Sequence, residues 1–196
     1  LSAPAVAGTV TVTLPSASGT MAVSGGSPSF TTITTTSDAS ISGLTVGKGG
    51  GSVSTNTALG VSALNANTTA DASTVVGYQA ASTQTTGALY TSAFGYQSLK
   101  ANTSGTQNNA FGFLSLTANN SGSNNSGFSA YALNSNTTGG NNTALGNEAL
   151  RSNTTASGNT AVGYQAGNAS TTAIYITAFG YQAALVNTAN EVCALG

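Results

Sequence analysis

The chain has 196 residues, of which only 4% are charged, against roughly 25% in soluble domains. Lys48, Lys100 and Arg151 stand against Asp38, Asp71, Glu148 and Glu191, with no His and a single Cys. That inventory excludes a basic footprint for nucleic acid, a polybasic membrane anchor, imidazole triads, zinc ligand sets and an internal disulfide. Apolar residues make up 39%, too many for a disordered chain, yet no run reaches the ~18 needed to cross a bilayer.

Residues 8–14 (GTVTVTL) alternate as a strand does, and residues 15–19 (PSASG) break the pattern. A second β-rich run, residues 30–36, leads through residues 40–51 (SISGLTVGKGGG) into a different kind of sequence. Residues 1–51 therefore read as a β-rich N-terminal connector ending in a flexible joint, Gly49-Gly50-Gly51. A phosphate loop would need Gly-Lys-Ser/Thr and a following helix; here Lys48 precedes the glycines and no helical period follows.

Residues 52–196 are a repeat array. Glycines that follow an apolar residue fall at Gly60, Gly77, Gly95, Gly112, Gly146, Gly163, Gly180 and Gly196, at intervals of 16–18 residues except for one gap of 34. Ser129 takes the glycine's place in that gap, which gives nine units. Counted from this anchor, Asn stands four before it (Asn56, Asn108, Asn125, Asn142, Asn159) and seven after it (Asn67, Asn102, Asn119, Asn136, Asn153, Asn187). An apolar residue precedes the anchor, Ala or Ser stands three after it, and Leu usually four after it.

Seventeen residues are too few for a strand–helix repeat, so the array is expected to be all-β: a parallel β-solenoid of about nine coils, each with two short strands and two turns. The segment N-T-A-φ-G-Y-Q-A is the expected strand, with φ, Tyr and Ala/Ser on one face by the period of two. Identical columns then become ladders. Phe94, Phe111 and Phe128 should stack, and Gln79/Gln97 and Gln165/Gln182 should exchange amide hydrogen bonds. The aromatic column reads as core rather than as a platform for sugars or bases. Asn-Thr-Thr-Gly at residues 136–139 is turn chemistry. A coil this thin encloses little core, so other chains should cover part of its apolar surface.

The chemistry-bearing residues do not converge. Asp71, Glu148 and Glu191 fall on separate units, farther apart than a glycosidase pair allows, and Asp38 lies outside the array. Glu148 occupies the Gln column and reads as a solvated variant. Cys193 occupies the column of Thr57, Thr143 and Thr160, without a basic neighbour to activate it. No nonapeptide calcium motif is present, and Thr-rich runs shift phase between units, against an ice-binding face. No catalytic, cofactor-binding or metal-binding residue and no cofactor is expected. The sequons, Asn67-Thr68-Thr69 among them, are what an Asn/Thr-rich chain produces by chance.

NTALGVSAL, NTAVGYQAG, NNTALGNEAL and TAFGYQSL resemble the head repeats of trimeric autotransporter adhesins, and more closely the N-T-A-φ-G-Y-Q-A-L repeats of bacteriophage structural fibres. The segment VTVTLPSASGTMAV, residues 10–23, is also similar to an element of phage tail-fibre proteins. The resemblance implies a left-handed β-roll, three chains on a three-fold axis, and a place in a virion fibre of tail or capsid. Its implied partners are further virion proteins and a host surface receptor. The array would continue past residue 196. The alternative it implies is a head segment of an adhesin on the bacterial outer surface. Ser129, the 18-residue interval and the long Asn-rich turns depart from the family pattern.

Overall fold

A computed structural model describes residues 39–41, 44–85 and 87–196; Asp38 and the two β-rich runs at residues 8–14 and 30–36 lie outside the described residues. Among the described residues eleven strands form one sheet in chain order. β1 (Ala39–Ile41) and β2 (Leu44–Gly47) are antiparallel, and β2 is antiparallel to β3 (Thr57–Leu59). Every later strand is parallel to its predecessor: β4 (Thr74–Val76), β5 (Ser92–Phe94), β6 (Asn109–Phe111), β7 (Ser126–Phe128), β8 (Thr143–Leu145), β9 (Thr160–Val162), β10 (Thr177–Phe179) and β11 (Cys193–Leu195). The expected parallel β-solenoid is thus the observed fold. Nine in-register strands, β3 to β11, enclose about eight turns. Gly49–Gly51, expected as a joint, lie along the first coil, where the Gly50 N–H donates to the Leu64 carbonyl at 2.9 Å.

Each coil carries one strand of three residues, not the two expected, and the strand ends at the apolar residue before the anchor. The reason is the anchor itself. From Gly60 to Gly180 the anchor glycines hold φ between 123° and 142°, a region open to glycine and costly for other residues. A Cβ on Gly163 would run into the Gly180 carbonyl oxygen one coil on, so the glycine column is where the backbones of successive coils come close. Ser129 has been forced into the same region, with φ 118°.

This turn reverses the expected faces. The period of two does not survive the anchor, so φ and Tyr point outward while Ala/Ser three after the anchor is buried throughout. The inside is made of Ala or another small residue two before the anchor, Ala/Ser three after it, and Leu64, Leu99, Leu116, Leu133 and Leu150, all of them fully buried. Burying one such leucine contributes about 2–3 kcal/mol. The aromatic column expected in the core lies on the outer surface, because a chamber one leucine wide has no room for it.

Both asparagine columns, apart from Asn187 at the end, are buried and form ladders. Asn102 Nδ2 bonds the Gly105 carbonyl at 2.9 Å, closing its own turn as the turn chemistry required. The amides then chain between coils: Asn119 Nδ2 donates to Asn102 Oδ1 at 3.0 Å, Asn136 to Asn119 at 2.8 Å and Asn153 to Asn136 at 2.8 Å. In the second column the side-chain oxygens of Asn108, Asn125 and Asn142 accept from the backbone N–H of the Asn one coil on, at 3.0–3.1 Å. Their amide nitrogens donate to the carbonyls of Gly122, Gly139 and Ala156. Among the described residues, three buried polar atoms have no partner: Gln84 Oε1, Thr91 Oγ1 and Ser170 Oγ. Each belongs to a residue that replaces Asn in one of these columns.

The 18-residue interval falls here as well. Gln84 stands in the Asn column and its Nε2 reaches the Ala88 carbonyl at 3.0 Å, four residues on instead of three. One extra methylene in the side chain spans one extra residue in the turn. Strand register is untouched, with Val76 still opposite Phe94.

Candidate interaction surface

Two outward columns flank the glycine corner. On the strand side, Phe94, Phe111 and Phe128 stack with centroids 4.7 and 5.0 Å apart and planes 9° from parallel, as the repeat predicted. Leu59, Leu145, Val162, Phe179 and Leu195 continue that column. Beyond the corner, Tyr78, Tyr96 and Phe113 stack at 5.3 Å, and Tyr164 stacks on Tyr181 at 5.4 Å. These side chains stay roughly 40–70% exposed in the single chain on the second column (Tyr78 45%, Tyr181 67%).

The stacking decides what the ladders can bind. Nearly parallel rings at this spacing cover each other's faces and leave only edges to the outside. Sugars and bases need an open ring face. A ladder of edges instead offers an uncharged, corrugated apolar strip suited to side-by-side packing with protein.

The second column is interrupted. Ala130 and Asn147 stand where Tyr or Phe stands on other coils, a gap of two rungs or roughly 10 Å. At its lower edge Tyr131 meets Phe113 edge-on at 5.4 Å, and the Arg151 guanidinium lies over the Tyr131 ring at 4.9 Å.

Among the described residues one pair of opposite charges meets, Glu148 and Arg151. Glu148 sits in the Gln column as expected: Oε1 accepts from Arg151 at 3.0 Å, and Oε2 accepts from Gln165 Nε2 at 2.8 Å. The amide exchanges foreseen at Gln97–Gln79 and Gln182–Gln165 are both present at 2.8 Å. Asp71 caps the next backbone amide, that of Ala72, at 2.7 Å. Glu191 is exposed on the turn before β11, three coils beyond Glu148 and on a different corner. Cys193 is a free, exposed thiol on the outer face of β11. Among the described residues no three His, Cys, Asp or Glu side chains come together to hold a metal. Five of the sequon asparagines, Asn67, Asn102, Asn119, Asn136 and Asn153, are buried in the ladder, whereas Asn124 and Asn141, which also begin sequons, are exposed.

Reasoning from sequence missed the buried role of asparagine. The signal was available, since the ladder argument applied to the Gln columns holds equally for an Asn repeated at one position. No model of a protein family, no curated protein and no solved structure matches this chain.

Proposed function

We propose that the chain is a structural segment of a virion fibre, on the tail or the capsid of a phage, in which identical chains pack side by side as a homotrimer. The observation that carries the reading is the pair of exposed, uncharged ladders running along the coils. Sheet strands repeat at about 4.8 Å, and a surface that matches this repeat over nine coils is most simply another copy of the same chain. The two columns lie on either side of one corner and differ in composition. One chain's strand-side column can therefore meet the next chain's other column, a heterologous contact that closes into a ring. The phage setting and the left-handed roll rest on the repeat resemblance, and attachment to a host receptor is the role such a fibre would serve.

Native mass measurement of the full chain should give three copies; a monomer at micromolar concentration would remove the assembly. Antibodies raised against residues 52–196 should decorate fibres on particles of the phage that encodes it. Decoration of a bacterial surface and not of particles would turn the reading to the adhesin alternative.

A further inference from the structure

Two tyrosines stand outside both ladders. Tyr90 and Tyr175 lie five residues before an anchor, just ahead of β5 and β10, with φ 56° and 59°. They are 61% and 58% exposed, and among the described residues no other ring stacks on either. The Tyr90 N–H donates to the Asp71 carbonyl at 3.2 Å and the Gln107 N–H to the Leu89 carbonyl at 2.8 Å, so Ala72, Tyr90 and Gln107 follow one another on successive coils. The same bonds, Tyr175 to Ser157 and Glu191 to Ile174, set Gly158, Tyr175 and Glu191 in line. Each ring thus has a small residue on one side and an exposed polar side chain on the other. One edge of the Tyr175 ring rests on Gly158, where an added Cβ would meet Cδ1 and Cε1 at 2.7 and 2.8 Å.

These are also the two coils in which the amide ladders fail. Both ladder asparagines are missing between only two pairs of successive anchors: Gly77 to Gly95, with Gln84 and Thr91, and Gly163 to Gly180, with Ser170 and Ile176. The three unpaired buried polar atoms, Gln84 Oε1, Thr91 Oγ1 and Ser170 Oγ, all belong to these coils. An unpaired buried polar atom is costly to keep. The coils that break the rule of the shaft are the ones that put an isolated tyrosine on its surface, and such local departures mark function.

We propose that Tyr90 and Tyr175 are two equivalent carbohydrate-binding platforms, each stacking the apolar face of an uncharged pyranose ring. Gln107 and Glu191, one coil or about 4.8 Å farther on, hydrogen-bond the sugar hydroxyls. The open ring faces that the ladders lack are present at these two places. A nucleobase has a similar face, but the charged side chains on this corner, Asp71 and Glu191, are acidic and repel phosphate. A protein partner needs more apolar surface than one ring. The platforms are five coils, about 24 Å, apart along one corner, so one polysaccharide chain engages both and gains avidity. The proposal rests on the attachment role named above only for the source of the sugar, a polysaccharide of the host surface, and it needs no packing of copies.

The full chain should bind members of an array of bacterial lipopolysaccharides and capsular polysaccharides. Tyr90→Ala and Tyr175→Ala should each weaken that binding about tenfold, the scale of one lost ring contact, and the double variant should abolish it. Tyr90→Phe with Tyr175→Phe keeps both faces and should retain most of it. Circular dichroism melting and native mass check that the variants keep their coils and their assembly. In the unmodified chain, glucose, galactose or N-acetylglucosamine at millimolar concentration should shift the ring resonances of Tyr90 and Tyr175 and leave those of the stacked Tyr96 in place. The proposal is overturned if no glycan on the array is bound, or if the double alanine variant binds as the unmodified chain does. Binding of oligodeoxythymidine that is lost in the double variant would overturn the choice of sugar. The fibre assignment is read separately by the antibody decoration described above, and its failure leaves the platforms untouched.

Discussion

Asn136 is the best place to test whether the amide ladder holds the coils together. Its Nδ2 donates to Asn119 Oδ1 at 2.8 Å and to the Gly139 carbonyl at 2.9 Å, and its Oδ1 accepts from Asn153 Nδ2 at 2.8 Å. Asn136→Ala removes all three bonds. The Gly139 carbonyl keeps a donor, Asn125 Nδ2 at 2.8 Å, and Asn153 Nδ2 keeps the Ala156 carbonyl at 3.1 Å. Asn119 Oδ1, fully buried, is left without its ladder donor. Three bonds at about 1 kcal/mol each, plus about 1–2 kcal/mol for the stranded oxygen, predict a loss of about 4 kcal/mol. Denaturant unfolding of the full chain measures this. In a repeat array the damage should be local, so the amides of Asn119 and Asn153 should lose hydrogen-exchange protection while those of β3 and β4 keep theirs. Thr138→Ala, an exposed neighbour on the same turn, is the reference at about 0.5 kcal/mol or less. If Asn136→Ala costs no more than Thr138→Ala, the ladder contributes nothing and the argument from buried amides is wrong.

Ser129→Gly should stabilise by about 1 kcal/mol, since Ser129 holds φ 118° in a column otherwise given to glycine; a lower melting temperature would contradict the strain. Ser170→Asn should gain about 1–2 kcal/mol in denaturant unfolding, because it extends the ladder with a donor to Asn153 Oδ1, which otherwise accepts only a long 3.5 Å bond from Asn159 Nδ2, and replaces an unpaired buried hydroxyl. Deleting residues 133–149 joins equivalent positions, Ala132 to Leu150, and should shorten the rod by about 4.8 Å with the fold intact. Electron microscopy and circular dichroism read the two parts, and global unfolding would speak against independent coils.

The sequence exposed the repeat because stacking demands identity, not mere similarity, at ladder positions. Phe94–Phe111–Phe128 and Gln79–Gln97 could be placed on neighbouring coils by counting alone. Which side of the coil is inside was not legible, and the cause is backbone conformation. Three columns besides the anchor hold positive φ, represented by Gln97 at 51°, Leu99 at 53° and Asn124 at 59°. Asn favours that region, but Leu and Gln do not advertise it. Their N–H groups are turned to neighbouring coils, Gln97 to the Tyr78 carbonyl at 2.9 Å and Leu99 to the Ser115 carbonyl at 2.9 Å. Only the stack makes these conformations worthwhile, so no reading of a single unit could have found them. The outward ladders and their gap follow from the same turns, and the Ala130–Asn147 interruption was visible as letters without a face to put them on.

The turn from Gln84 to Ala88 carries a consequence for how such a rod can vary. One coil has taken in an additional residue, and the strands on either side pair as though nothing had happened. Gly87, on that turn, has open space where a side chain would grow. Surface loops lengthen at small entropic cost, so this turn is a place where longer segments can be displayed from the shaft without altering the spacing of the coils that carry them.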